Sequence, residues 1–137
     1  MVGWVLRLGA VIFLVVGLLH LAMGLNADVL LGARLPPDVI ADPVLDSQNR
    51  FYGTAFAIYG VLLLLGATDL ARYAVMLQCC FWCFFSAGIA RLAAWAQHGA
   101  PSHQVILLLA LELALPPLLS LWLSRHGRHN ASAARSR

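Results

Sequence analysis

Asp46-Ser-Gln-Asn-Arg-Phe-Tyr-Gly53 is a polar run that leads straight into Thr54-Ala-Phe-Ala-Ile-Tyr-Gly-Val-Leu-Leu-Leu-Leu-Gly66, which is almost wholly apolar. An arginine at the mouth of such a helix is costly in lipid unless it finds a partner. The chain holds one chief candidate, Glu112, inside a second apolar run. The polar stretch therefore predicts a helical membrane protein assembled around a polar cluster near one face.

Composition agrees. The chain has 137 residues, 61% hydrophobic and 11% charged, where a soluble domain carries roughly a quarter charged residues. That is membrane composition at the size of one compact domain. The net charge is +3 and sits mostly in the last residues, which argues against a nucleic-acid surface. Three cysteines within Cys79–Cys83 cannot build a secreted disulfide framework.

Four apolar runs predict an all-α, integral membrane four-helix bundle, with helices at about 4–25, 47–66, 73–95 and 104–123 of a domain spanning 1–124. Each run reaches the roughly 20 residues that a bilayer core requires. The first is expected to be a retained anchor, because its apolar length exceeds that of a signal peptide. Gly9, Phe13, Gly17, His20 and Gly24 share one stripe, and Arg50, Gly53, Thr54, Ala57 and Gly60 share another. Small-residue stripes of this kind let helix backbones approach closely. Gln48, Tyr52 and Tyr59 fall on the face next to Arg50.

The loop 26–45 is acidic, and Pro37 suits the first turn of a short interfacial helix. Asp46 or Ser47 is the expected cap of the second span. Pro116-Pro117 removes backbone donors in the fourth span and is expected to kink it. Residues 125–137 read as a basic, mobile cytoplasmic tail. Arg7, Arg72 and the tail arginines fall on one side of a four-pass chain, so the positive-inside rule predicts both termini in the cytoplasm.

With that topology His20, Arg50, Arg91 and Glu112 reach one level from four helices. A lone ionisable group at the bilayer centre costs roughly 2.5–3.5 kcal/mol even on mild insertion scales, so these groups are expected to pair. In a structural account Glu112 bridges Arg50 and Arg91, with His20, Gln48 and Asn49 completing the hydrogen bonds. In a functional account the cluster, with Tyr52 beside it, receives a polar or anionic head group. Two arginines against one glutamate leave a positive surplus that Asp46 would cancel.

Other motifs are weak. Cys80-Phe-Trp-Cys83 has redox spacing but lies inside an apolar helix rather than at an exposed helix start. No second cysteine or histidine pair stands near it for zinc, so no metal site is expected. Asn130-Ala-Ser132 matches a glycosylation acceptor on the wrong side of the membrane.

Asp46-Ser-Gln-Asn-Arg-Phe-Tyr-Gly53, Gly88-Ile-Ala-Arg91 and Leu111-Glu-Leu-Ala-Leu-Pro-Pro117 together resemble the bacterial family called domain of unknown function 4345. The resemblance covers about residues 5–123. It implies small four-span membrane proteins, broadly similar to the DoxX-like proteins, and no established activity or cofactor. The expected function is a noncatalytic accessory or binding component of the bacterial inner membrane. It would touch membrane lipid and hold a small amphiphile or a membrane partner protein. One alternative is a membrane enzyme or redox component using His20, Glu112 or the thiols; another is a small-solute transporter.

Overall fold

The computed structural model describes the backbone of residues 2–135 and the side chains of residues 2–125. Within those bounds the chain is helical: α1 (Val2–Met23), α2 (Leu25–Leu30), α3 (Pro37–Ile40), α4 (Pro43–Thr68), α5 (Ala74–His98) and α6 (His103–Arg135). No strand occurs among the described residues. Four segments are long and apolar enough to cross a membrane: α1, α4, α5 and α6 as far as Arg125, of 22, 26, 25 and 23 residues. At about 1.5 Å per residue each exceeds the ~30 Å hydrocarbon core. Large apolar side chains stand exposed on every one of them, among them Leu8, Ile58, Val75 and Leu118. Such surfaces are a liability in water and the ordinary outer face of a helix in lipid.

The chain divides into two units, Met1–Thr68 and Asp69–Arg137. In the first, α1 and α4 run antiparallel and touch backbone to backbone. A Cβ added at Gly17 would lie 2.7 Å from the Gly53 carbonyl oxygen, and one at Gly53 would lie 2.6 Å from the Leu21 nitrogen. Only glycine permits that approach, which gains dispersion contact where no hydrophobic effect acts between helices. Gly17, His20 and Gly24 of the expected stripe are buried. Phe13, half-buried, packs its ring 4.6 Å from that of Tyr59 and 6.0 Å from that of Phe56.

α4 begins at Pro43, ahead of the expected start at residue 47. Asp42 Oδ1 accepts the amides of Val44 and Leu45 at 2.8 and 3.1 Å. Asp42 thus satisfies two free first-turn donors, and Pro43 follows where no amide hydrogen is needed. This frees Asp46, one turn further in, for other partners. α3 begins at Pro37.

In the second unit α5 and α6 are antiparallel. The inner face of α5 is Leu77, Cys80, Phe81 and Gly88. That of α6 is Leu109, Glu112, Pro116, Ser120 and Leu123, every third or fourth residue as a helix requires. Gly88 lies against the side chains of Glu112 and Leu113, and Gln78 hydrogen-bonds Ser120. Cys80 is buried while Cys79 and Cys83 are exposed, and all three thiols are free. α6 continues through Pro116 and Pro117. Neither proline can donate to the carbonyl four residues back, so those of Glu112 and Leu113 lose their ordinary helical partners. Of the tail expected at 125–137, the side chains after Arg125, with His126, His129 and the Asn130 motif, lie outside the described residues; its backbone is helical as far as Arg135.

Candidate functional site

Two polar assemblies form, one in each unit. The first gathers where α1 ends and α4 begins. Arg50 Nε donates to Asp46 Oδ2 at 2.7 Å, and its Nη1 donates to the carbonyls of Leu21 and Ala22 at 2.9 and 3.0 Å. Those carbonyls belong to the last turn of α1, which has no helical donors left for them. A cation is also favoured at that negative end of the helix dipole. The other Asp46 oxygen accepts the Leu25 amide, at the start of α2, at 3.2 Å. Between them stands Gly24, with φ +57° and ψ −135°, a conformation open to glycine alone. The Asp46 carboxylate fills the space where a Gly24 side chain would go.

Reversal at Gly24 brings α2 back over α1. His20, 5% exposed, places Nδ1 2.7 Å from the Val16 carbonyl oxygen and Nε2 3.3 Å from Asp28 Oδ1. Asn49 Nδ2 donates to Asp28 Oδ2 at 2.5 Å. Asn49 Oδ1 is buried without a partner. The edge of the His20 ring meets Phe56. Gln48 and Tyr52 are exposed on α4. Gln48 lines a shallow depression of about 350 Å³ with Ser47 and Phe51, and Tyr52 packs against the Phe51 ring.

The second assembly is tighter. Arg91 Nε donates to both oxygens of Glu112, at 3.0 and 2.8 Å. Glu112 is 3% exposed, whereas the Arg91 side chain is 36% exposed. A single nitrogen thus serves both carboxylate oxygens, and the two terminal amino groups of Arg91 have no hydrogen bond among the described residues. Arginine usually meets a carboxylate with two parallel N–H groups. Here that fork remains available.

Asp46 neutralises Arg50 and Glu112 neutralises Arg91. The surplus positive charge expected from two arginines against one glutamate is therefore cancelled. Glu112 directs both oxygens to Arg91, and Arg50 is held by Asp46 and the end of α1. The order of partners follows from distance along the helix, since Asp46 and Arg50 are four apart on α4. Asp28, central to the first assembly, was not among the expected site residues, and Asp46 was expected only to cancel surplus charge. The Asp42-Pro43 start signal would have placed Asp46 on the helix. Nothing local marks Asp28, which comes into range only through the turn at Gly24.

Residues 1–123 match a family model described as a domain of unknown function, DUF4345. No curated protein and no solved structure matches the chain.

Proposed function

Since the chain belongs to the DUF4345 family and carries four membrane-length helices, we propose that it is a noncatalytic binding component of a bacterial inner membrane, holding the polar head of a small amphiphile. Both termini face the cytoplasm in this account, and the protein serves as an accessory to a larger membrane process. The four-span plan is that of the DoxX-like proteins.

One observation carries the proposal: the open Arg91 fork beside the buried Glu112 carboxylate. Glu112 lies nine residues into α6 and Arg91 seven residues before the end of α5, which is roughly 10–14 Å from the α5–α6 turn. At that depth an unused guanidinium donor has lipid or its head groups for company. The pair is neutral overall, so the head group need not be an anion. It must bring hydrogen-bond acceptors, such as ester carbonyls, a carboxylate or phosphate oxygens.

The test separates charge from geometry. Arg91→Lys keeps a cation for Glu112 and removes the planar fork. Protein purified in mild detergent is examined by native mass spectrometry for retained amphiphile. Wild type is expected to carry a bound species, and Arg91→Lys to lose it by tenfold or more while remaining folded. Equal retention by the two proteins, or a wild type that carries nothing, overturns the proposal.

A further inference from the structure

The large apolar side chains exposed among the described residues lie on the four spans, with one exception: Val29-Leu30-Leu31, the last turn of α2 with its C-cap. Leu30 is 63% exposed. α2 turns Leu25 and Ala27 inward, so its buried side is filled without these three. Six residues are too few for a helix to hold its shape alone. Polar contacts fix α2 instead, through its Leu25 amide to Asp46 and through Asp28 to His20 and Asn49.

Those contacts set the depth of the apolar run. At the start of α1 the Arg7 guanidinium lies 5.4 Å from the ring centroid of the exposed Trp4, and such tryptophans sit among lipid head groups. Gly24 follows Trp4 by twenty residues, about 30 Å of helix, which is the thickness of the hydrocarbon core. α1 therefore ends at the opposite hydrocarbon boundary. α2 does not project beyond it, because Asp28 is tied to His20, one turn inside the end of α1. Asp28 is also tied to Asn49, which lies about 9 Å along α4 from Pro43. Gly32, at φ +100°, turns the chain away directly after the run. Asp42 then stands at the outer end of α4.

We infer that Val29-Leu30-Leu31 is a lipid-docking surface, seated in one leaflet where the acyl chains meet the head groups. The connection between α1 and α4 thus enters the membrane at α2 and leaves it at α3. Charge decides what kind of seat this is. Residues 26–42 carry Asp28, Asp38 and Asp42 against Arg34 alone, so the segment has no net attraction for anionic lipid. What it offers a bilayer is apolar area, and binding through apolar area does not depend on the head group's charge. The surface belongs to the first unit, so the inference is independent of the Arg91 fork in the second.

The experiment uses full-length protein lacking the three native thiols, with a fluorophore at Leu30→Cys or at Asp38→Cys. The second position, on α3, is the water-facing control. Both residues are exposed, so neither label disturbs packing. Each protein is reconstituted alone in phosphatidylcholine vesicles, with or without phosphatidylglycerol, and with iodide on both sides of the bilayer. Iodide should quench the label at residue 30 on the order of tenfold less than the label at residue 38. A nitroxide at the top of the lipid acyl chain should quench residue 30 more strongly than one at the chain end. Both results should be the same in the two lipid mixtures. Equal iodide quenching at the two positions overturns the inference. So does a residue 30 shielded from iodide and from both nitroxides, because a second copy of the chain then covers the run. Shielding that needs phosphatidylglycerol overturns it in favour of a charge-driven seat, and shielding found only in native membranes overturns it in favour of a partner protein.

Discussion

Arg91 and Glu112 show how burial changes the worth of a charge pair. The carboxylate is buried, so removing its cation strands a charge, a loss of roughly 3–5 kcal/mol. Arg91→Met alone should therefore destabilise the protein by about that amount, less whatever its partial exposure returns. Arg91→Met with Glu112→Leu should recover most of it, because replacing both members of a buried pair by apolar groups is often neutral. Unfolding in graded denaturing detergent measures both. A double variant no more stable than the single would mean that the pair contributes more than mutual neutralisation. The Arg50–Asp46 pair is more exposed, at 42% and 29%, and an exposed pair contributes only about 0–1 kcal/mol. Most of the effect of Arg50→Ala should come from the two α1 carbonyls it leaves without a donor. The sequence alone leads one to expect Glu112 to bridge Arg50 and Arg91 together, because opposite charges in apolar helices need partners; its described partner is Arg91. Asp46 was expected to cancel surplus charge, but its place one turn before Arg50 on the same helix was obscured by a helix start set four residues late.

Among the elements, α1 and α4 depend on glycine more than on side-chain interlocking. Gly17→Val places a branched side chain where the Gly53 carbonyl and the Ala57 backbone already stand. Overpacking of this kind costs typically 1–3 kcal/mol, and a rigid backbone neighbour puts Gly17→Val at the upper end. Gly9→Ala is the control, since its nearest neighbour is a Leu63 methyl at 3.6 Å, and it should change little. Thermal unfolding in detergent distinguishes the two. The start of α4 offers a second check. Asp42→Ala removes the acceptor for two amides and should cost about 1 kcal/mol, whereas Ser47→Ala should cost nothing measurable. The glycine stripes could be read from spacing alone. The cap was misplaced because several acidic residues compete for one helix start and only the three-dimensional turn selects Asp42.

The proposed topology has four crossings and therefore both termini on one side of the membrane, which the positive-inside rule would make the cytoplasm. A reporter fused after residue 137 should be active only in the form that works inside the cell. A cysteine-reactive, membrane-impermeant reagent should label Ala33→Cys from outside intact cells, in a background lacking the three native thiols. Labelling of Ala33→Cys only after lysis would reverse the orientation. The division into two units has a consequence for the polar residues. Each unit closes its own charges, Arg50 with Asp46 and Arg91 with Glu112, so neither arginine requires the other unit for neutrality.

Composition and helical periodicity were enough to establish an all-α chain with four membrane-length segments, and to locate the glycine contact faces, because hydrocarbon admits few arrangements of a polar backbone. The same constraint singled out His20, Arg50, Arg91 and Glu112 as residues in need of partners. Which partners they take was settled by chain reversal: Gly24 turns α2 back to bring Asp28 to His20, and Asp42 starts α4 early enough to set Asp46 beside Arg50. Such choices depend on a backbone angle and on a helix start one turn earlier than expected, and neither leaves a periodic mark in the order of residues.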